Sequence, residues 1–310
     1  MKKILVIGSF MTDLVIKSKR FTKTGETIFG ESFDQFTGGK GANQAVAAAR
    51  LGGNVEMIGE LGKDSFGEDQ IASLKENNVK HDNVLFTNEA KSGVGNPQID
   101  SKGQNRIVVV PGANLMLKPE DLKKLEGVIK NSDIIVLQLE IPLETVYKAI
   151  EIADKYNKTI ILNPAPAADL DDKYASLITY IAPNESEAEY LTGISTDTES
   201  GVKKAADALL KKGYQNVVIT LGEKGSYFKN ENSEYFVPAY EVKSVDSTAA
   251  GDEFIGSLAY GIANNWAIRT ALEFSSAASA LSVTKMGAQP SLPVKKEVDN
   301  FIPQNKLVQN

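Results

Sequence analysis

Short apolar runs alternate with amphipathic stretches along most of the 310-residue chain. Apolar runs of about four to eight residues between turn signals are typical of buried strands, and apolar positions three and four apart are typical of helices. The second pattern predicts helices at 142–156 and 201–212, with Pro142 in a first helical turn, where its missing N–H costs nothing. The first pattern predicts strands at 4–7, 55–59, 134–139, 159–162, 180–182 and 217–221.

This alternation of strands and helices predicts an α/β fold, with a mostly parallel sheet covered by helices on both faces. The chain is longer than a usual single domain, so we expect one large domain with an appendage, or two domains. Ligands of such sheets bind at the carboxyl ends of the strands. We therefore expect catalytic and binding residues where each apolar run ends.

Two regions break the alternation, at residues 14–37 and 92–110. Both have strand-like patterns, and the second has two arms joined by a polar Ser-Lys-Gly-Gln-Asn turn. Together they predict a small antiparallel sheet standing off the main sheet, as a lid or a dimer surface. The alternative is a pair of long surface hairpins.

The composition argues against several classes of function. A hydrophobic content of 42% and a charged content of 24% are ordinary for a soluble enzyme, and a net charge of −6 argues against a general nucleic-acid surface. The absence of cysteine excludes disulfides and thiolate chemistry, and the single histidine, His81, lies in a polar stretch typical of a surface loop. The first apolar run is too short for a signal peptide and no run is long enough to span a membrane, so we expect a cytoplasmic protein.

The first motif that indicates chemistry is GGKGANQA at 38–45, which runs into an alanine-rich helix. Glycines let the backbone approach a ligand closely, and a helix N-terminus offers free N–H groups. The motif matches neither a Walker A loop nor a G-x-G-x-x-G fingerprint. A purely structural turn is the alternative, but Lys40 and Asn43 favour a polar ligand.

The second motif is DSTAAGD at 246–252, followed by an apolar helical pattern. Small residues before a helix leave several N–H groups aimed at one place, which suits the oxygens of a phosphoryl group. Asp252 could accept a proton from an attacking hydroxyl, or could simply cap the helix. Two weaker segments also fit a nucleotide site: NESE at 184–187 could place carboxylates near a hydrated metal ion, and TLGEKG at 220–225 ends a buried strand.

In this order the motifs resemble those of the ribokinase-like carbohydrate kinases, the family also called PfkB, over essentially the whole chain. GGKGAN resembles the ribokinase branch. The resemblance implies a single kinase domain over 1–310, folded as a three-layer α/β/α sandwich with a mostly parallel central sheet. It also implies a small β-sheet lid, formed by about 14–37 and 92–110, that pairs two subunits into a homodimer.

The resemblance also implies a role for each matching position. Asp252 would be the base, and the backbone of Ala249, Ala250, Gly251 and Asp252 would form the anion hole. The sugar would be bound by Met11, Thr12, Asp13, Gly39, Lys40, Gly41, Ala42, Asn43, Glu140 and Asp252. ATP would be bound by Asn184, Thr220, Leu221, Gly222, Glu223, Lys224, Gly225, Gly251, Asp252 and Ser276. Mg²⁺ would be organised through water by Glu187, and K⁺ would be held by Asp246, Thr248, Ser282, Lys285, Gly287 and Ser291, several of them through backbone carbonyls.

Two departures bear on the sugar. Ribokinases usually have asparagine where this chain has Met11 and Ile255, and in both respects the chain looks closer to deoxyribokinases. A thioether is a weak acceptor and cannot donate, so a 2-hydroxyl beside Met11 would lose its partner. We therefore expect phosphorylation of the 5-hydroxyl of 2-deoxy-D-ribose, and of D-ribose as well. The alternatives are an ordinary ribokinase and a catalytically silent sugar sensor; a nicotinamide-dependent oxidoreductase is disfavoured because the first strand lacks its fingerprint.

Overall fold

The computed structural model describes residues 1–304, so positions 305–310 of the predicted single domain lie outside the described residues. The described strands are β1 (Lys3–Ile7), β2 (Met11–Lys17), β3 (Ser32–Gly38), β4 (Asn54–Ile58), β5 (Glu60–Gly62), β6 (Leu85–Thr87), β7 (Val94–Ile99), β8 (Asn105–Val110), β9 (Ile134–Leu137), β10 (Thr159–Leu162), β11 (Tyr180–Ile181), β12 (Asn216–Thr220), β13 (Ser226–Asn230) and β14 (Glu234–Val237). The described helices are α1 (Lys40–Arg50), α2 (Ser65–Glu76), α3 (Pro119–Lys124), α4 (Glu126–Lys130), α5 (Leu143–Lys155), α6 (Glu185–Thr192), α7 (Glu199–Lys212), α8 (Ala250–Ala263), α9 (Ile268–Ser282) and α10 (Lys295–Phe301).

The main sheet has the strand order β14-β13-β12-β11-β10-β9-β1-β4. Its pairs are parallel from β4 to β12, whereas β13 and β14 add on as antiparallel strands. The six predicted strands are all in this sheet, and each end differs from its predicted position by at most two residues. The prediction of a mostly parallel sheet is confirmed.

The apolar runs are continuous because both faces of the sheet are covered. In β1, Leu5 and Ile7 pack in a core shared with α3 to α7, whereas Ile4 and Val6 pack in a second core with α1, α2, α8 and α9. Since successive side chains of a strand point to opposite faces, one short run contributes to two cores. The result is the predicted three-layer α/β/α sandwich.

Both predicted helices are present, as α5 and α7. The prediction for Pro142 was wrong in detail. Pro142 is the N-cap of α5, with φ −52° and ψ 133°, and is not part of the first turn. Thr198 caps α7, where its hydroxyl accepts a hydrogen bond from the Gly201 N–H at 3.1 Å. No helix within residues 1–304 is long and apolar enough to cross a membrane.

The two irregular regions form a separate four-stranded sheet in the order β3-β2-β7-β8. The expectation of a wholly antiparallel sheet was wrong, because the central strands β2 and β7 pair in parallel. Each hairpin is antiparallel within itself, but both inner strands leave the main body at one point. There the Thr12 N–H donates to the Gly93 carbonyl at 2.9 Å, and the two strands then run side by side.

Candidate active site

Two adjacent cavities, of about 910 Å³ and about 220 Å³, lie at the carboxyl ends of the parallel strands. The larger is within the range typical of ligand sites. Lys40, Asp252 and Ile255 line the smaller cavity together with Glu187. Both cavities are bordered by Asn184, Thr220, Ser247 and Gly251, so a molecule in one would contact a molecule in the other.

The glycines of the GGKGAN motif allow α1 to begin directly against the turn after β1. Gly39 has φ +93°, and a Cβ there would lie 2.6 Å from the backbone nitrogen of Met11. A Cβ on Gly41 would lie 2.5 Å from the backbone nitrogen of Ser9. No side chain fits at either position, which explains why the motif has glycine at both.

Glu140 ties this turn to the sheet. Its Oε2 accepts hydrogen bonds from the Lys40 backbone N–H at 3.0 Å and from the Ser9 hydroxyl at 2.5 Å. Glu140 follows β9, and Ser9 follows β1, its neighbour in the sheet. The role of Ser9 was missed from sequence; its position in the Gly-Ser turn after the first strand was the available signal.

Asp252 lies in the first turn of α8 and is largely buried. Its Oδ2 accepts a hydrogen bond from Asn43 Nδ2 at 2.9 Å, and its Oδ1 accepts one from Gln44 Nε2 at 3.0 Å. Both donors belong to α1, so the two strongest sequence motifs meet at one carboxylate. The other amide atom of Asn43, Oδ1, is buried and has no hydrogen-bond partner.

Asp13, on β2, faces the same region. Burial raises its pKa to about 6, and the nearby carboxylates of Glu140 and Asp252 contribute to the shift. Its Oδ2 lies 3.2 Å from the Cβ position of Gly38, and the unpaired Asn43 Oδ1 lies 3.7 Å from the same point. An acceptor carboxylate and an acceptor amide oxygen therefore converge where a hydroxylated ligand would find partners.

The charges around the small cavity are coupled. Burial lowers the pKa of Lys40, but the carboxylates of Asp252, Glu140 and Glu187 outweigh it and the pKa is raised. Burial raises the pKa of Glu187, against the opposing effects of the Asn184 N–H and Lys40. Lys40 is therefore a firmly charged ammonium group among carboxylates.

The N-terminus of α8 is open toward both cavities. Ala249, its N-cap, has the left-handed conformation with φ +62°, and no side chain hydrogen-bonds to the N-terminus of this helix among the described residues. Of the first helical N–H groups, that of Ala250 donates to the Ser247 carbonyl at 3.2 Å, whereas those of Gly251 and Asp252 have no acceptor within the helix. These two groups form a positively polarised site beside the Asp252 carboxylate.

Eight of the ten predicted nucleotide residues line the larger cavity, from four separate segments of the chain, and their contact with ATP stays a prediction. Asp252 lines the smaller cavity instead, and the buried side chain of Leu221 packs in the core, because it alternates inward between Thr220 and Gly222. The apolar part of the wall was not predictable from local motifs, and it comes from a loop, from Phe254 on α8 and from one face of α9. Cavity-lining positions that were not predicted include Ala239, Tyr240, Val242, Phe254, Ala280 and Val283.

Asp246 joins two loops beside the anion-binding helix. Its Oδ1 accepts hydrogen bonds from the Thr248 N–H at 2.9 Å and hydroxyl at 2.6 Å, and its Oδ2 accepts one from the Gly287 N–H at 2.9 Å. Burial alone would raise the pKa of Asp246, but these hydrogen bonds hold it below its usual range. The carboxylate is therefore ionised.

The side chains of three other predicted K⁺ residues are engaged elsewhere. The hydroxyls of Ser282 and Ser291 donate to the carbonyls of Ser279 and Ala288, and Lys285 Nζ pairs with Glu297 at 2.8 Å on the surface. Backbone carbonyls are therefore what Lys285 could offer a cation, as the prediction has it for several of these residues. No cluster of three or more histidine or acidic residues that could hold a metal ion occurs in residues 1–304.

Two predicted sugar residues do not present their side chains to the site. Thr12 points to the opposite face of β2 from Met11 and Asp13, and its buried hydroxyl has no partner among the described residues. Ala42 packs in the core between α1 and the sheet, and its N–H donates to the Ser9 carbonyl at 3.0 Å. Both residues therefore belong to the framework beneath the site, and their side chains do not face the ligand space.

Comparison with known proteins agrees with this geometry. A family model described as pfkB family carbohydrate kinase matches residues 1–295. A deoxyribokinase of Salmonella typhi is 38% identical over 98% of this chain and 99% of its own, and a mouse ribokinase is 42% identical over 95% and 93%. The solved structure of Arabidopsis thaliana ribokinase complexed with ribose and ATP superposes with a TM-score of 0.89, at 30% identity over 97% of this chain and 98% of that one.

Proposed function

Because the chain belongs to the pfkB family of carbohydrate kinases, we propose that it transfers the γ-phosphoryl group of ATP to the 5-hydroxyl of 2-deoxy-D-ribose, and also of D-ribose. The observation that carries the proposal is the place of Asp252. It lines the small cavity, it accepts a hydrogen bond from Asn43, and it lies in the first turn of α8 beside the N–H groups of that helix. A base and an anion-binding site therefore flank one point, as phosphoryl transfer requires.

In this proposal Asp252 accepts the proton of the sugar hydroxyl as that hydroxyl attacks phosphorus. Asn43 and Gln44 each donate to one carboxylate oxygen and fix its orientation, leaving further lone pairs for the incoming proton. The N–H groups at the start of α8 stabilise the charge on the transferred group, because their positions are set before reaction. The Lys40 ammonium adds positive charge from the opposite wall of the small cavity.

The residues present fit both metal ions of the proposal. Glu187 lines the small cavity, and its carboxylate is held by the Asn184 N–H at 2.8 Å and side-chain Nδ2 at 3.0 Å, which suits an anchor for a hydrated Mg²⁺. The ionised Asp246 lies between two loops rich in backbone carbonyls, which suits K⁺. A bound Mg²⁺ neutralises phosphate charge, and K⁺ would stabilise the loop before α8.

Two apolar residues support 2-deoxyribose as the sugar. Met11 and Asp13 lie on the same face of β2, and Met11 Cγ is 3.8 Å from the Cβ position of Gly95, which also adjoins the Asp13 carboxylate. Ile255 lines the small cavity next to Asp252. Neither side chain can satisfy a 2-hydroxyl, so a C2 methylene is the better match. The alternative is an ordinary ribokinase.

We also propose that the described residues form one kinase domain, with the four-stranded sheet as a lid and as a dimer surface. The outer strand of that sheet, β8, exposes Ile107, Val108, Val109 and Val110, each by more than half of its accessible area. Such a strand invites coverage by another chain. A cysteine-free ATP-consuming enzyme suits the cytoplasm, which is the location we propose.

The function is tested by ADP release from ATP with D-ribose, 2-deoxy-D-ribose and 5-deoxy-D-ribose. We expect turnover with the first two sugars and none above background with the third, because it lacks the attacking hydroxyl. Equal ADP release with all three would refute transfer to the 5-hydroxyl.

Sugar binding is expected to weaken in acid. Asp13 has a pKa of about 6, so the carboxylate is ionised at pH 7 and mostly protonated at pH 5. The dissociation constant of 2-deoxyribose, measured by calorimetry without ATP, should rise by about 10-fold from pH 7 to pH 5. Asp13→Asn should bind weakly at both pH values. An unchanged constant in the wild type would remove Asp13 as an ionised sugar ligand.

Asp246→Ala is expected to remove the response to K⁺. Without the carboxylate, the Thr248 and Gly287 N–H groups lose their shared acceptor, and the loop before α8 is no longer held. Because one misplaced anion-hole donor costs about 10²–10³-fold in kcat, we expect a loss of at least about 10-fold. The measurement compares kcat in KCl and in tetramethylammonium chloride for both proteins. An undiminished K⁺ response in the variant would place the cation elsewhere.

A further inference from the structure

A connected chain of buried amide side chains lies behind Asp252. Gln138 Nε2 donates to Gln44 Oε1 at 2.6 Å, and Gln44 Nε2 donates both to Asp252 Oδ1 at 3.0 Å and to Asn163 Oδ1 at 3.1 Å. Asn163 Nδ2 in turn donates to the Ala182 carbonyl at 3.0 Å. Gln44 and Gln138 are completely buried. Buried polar networks of this kind fix a unique arrangement only when their contacts are satisfied.

The chain is anchored on the most rigid part of the molecule. Gln138 follows β9, Asn163 follows β10 and Ala182 follows β11, so three adjacent parallel strands each contribute one member at their carboxyl ends. Gln44 belongs to α1 and connects these strand ends to the carboxylate on α8. The central sheet therefore helps to hold the orientation of the Asp252 carboxylate, in addition to helix α8 itself.

The direction of the hydrogen bonds is determined by chemistry. The Ala182 carbonyl can only accept, so Asn163 presents Nδ2 to it and Oδ1 to Gln44; Gln44 Nε2 therefore faces Asn163 and Asp252, and Gln44 Oε1 accepts from Gln138. Gln138 Oε1 is buried and has no hydrogen-bond partner among the described residues, so Gln138 completes this order and does not set it. A reversed Gln44 amide would place oxygen against oxygen at Asp252 and at Asn163, and nitrogen against nitrogen at Gln138. The network thus delivers an N–H donor to the carboxylate, and a donor favours the charged form.

That donor matters because little water reaches the Asp252 carboxylate, so its oxygens depend on protein donors. Asp252 is only 7% exposed. Of the titratable groups around it, Lys40 on α1 attracts the carboxylate, whereas Asp13 on β2 and Glu187 on α6 are acidic groups that repel it. Glu140 after β9 interacts with Lys40 and Asp13, and burial raises the pKa of Glu253 on α8 to about 8, so Glu253 is mostly neutral at pH 7.

We propose that Gln44 is a positioning residue that orients the Asp252 carboxylate toward the sugar hydroxyl by donating to its Oδ1, and that Gln138 supports Gln44 by donating to its Oε1. The inference rests on the proposed role of Asp252 as the base. It makes the general-base step depend on two glutamines that contact neither the sugar nor ATP.

The test is Gln44→Glu, which replaces the donor with an acceptor of nearly the same shape. We expect kcat to fall by about 10- to 100-fold, since the lost hydrogen bond is to a charged group. We also expect the acid limb of the kcat/KM profile to move upward by about 1 to 2 pH units, because a second carboxylate faces the first. The control is Asn114→Asp, which puts a carboxylate at an equally buried amide whose partners are backbone groups of Phe10 and Pro111. It should lower the melting temperature and leave the acid limb unchanged.

A second variant, Gln138→Leu, keeps the inference testable if Gln44→Glu does not fold. Removing the donor leaves Gln44 Oε1 buried without a partner and loosens the Gln44 amide, so we expect kcat to fall about 3- to 10-fold with an unchanged KM for the sugar, since one neutral hydrogen bond is lost. In both variants the Asp252 carboxyl titration is also followed by carbon-13 NMR, with the resonance identified by its loss in Asp252→Asn. This readout needs no substrate.

An acid limb and a carboxyl titration that stay at their wild-type positions in folded Gln44→Glu, or a wild-type kcat in folded Gln138→Leu, would overturn the role of Gln44. A wild-type enzyme that phosphorylates neither pentose would refute the proposed function, while the carboxyl titration would still show whether residue 44 acts on the Asp252 carboxyl.

Discussion

Asp252→Asn should lower kcat by about 10²–10⁴-fold, the usual contribution of a positioned general base. The amide cannot accept the proton of the sugar hydroxyl, while its size and its place in the first turn of α8 are retained. KM for ATP should change little, because the cavity of about 910 Å³ is lined by other residues. The measurement is the initial rate of ADP release at saturating sugar and ATP.

The matched control is Asp154→Asn, the same change at an exposed position on α5. It should have wild-type kcat. Circular dichroism and the melting temperature show whether each variant is folded. If folded Asp252→Asn retains wild-type turnover, Asp252 is not the base and the assignment of the site fails.

Met11→Asn should shift the sugar preference from 2-deoxyribose toward ribose by about 10- to 100-fold in the ratio of kcat/KM values. The reason is that leaving a buried hydroxyl without a partner costs about 1–3 kcal/mol, and 1.4 kcal/mol corresponds to tenfold. Asparagine offers both a donor and an acceptor to the 2-hydroxyl, whereas the thioether offers neither a donor nor a strong acceptor. The measurement is kcat/KM for both sugars with wild type and variant.

Met11→Leu is the control, because it keeps an apolar wall of similar volume. It should keep the wild-type preference for 2-deoxyribose. A ratio that does not move in Met11→Asn would show that the 2-hydroxyl is recognised elsewhere, and would favour the ordinary ribokinase.

The layers of the fold were predictable because the central strands are buried on both faces. A run such as Leu5-Val6-Ile7 is continuously apolar because helices cover both faces of the sheet. The parallel pairing of β2 with β7 was not predictable from local pattern. It depends on the contact between Thr12 and Gly93, which are distant in sequence.

In the candidate site, too, some residues could be predicted from the sequence and others could not. Asp252 and Asn43 lie in unusual local motifs, so they could be found from residue types alone. Gln44 could not, because its role depends on partners 94 and 208 positions away in sequence. Thr12, Ala42 and Leu221 lie within the right motifs but alternate away from the ligand space, since a motif does not specify which neighbour points inward.

Phosphorus NMR of the product tests the central claim most directly. Purified protein is incubated with ATP, Mg²⁺, K⁺ and 2-deoxy-D-ribose, and the phosphorus–proton correlation of the product is recorded. The account predicts a phosphomonoester coupled to the two C5 protons of the sugar. A phosphate coupled to the C1 proton, or no sugar phosphate from either pentose, would contradict it.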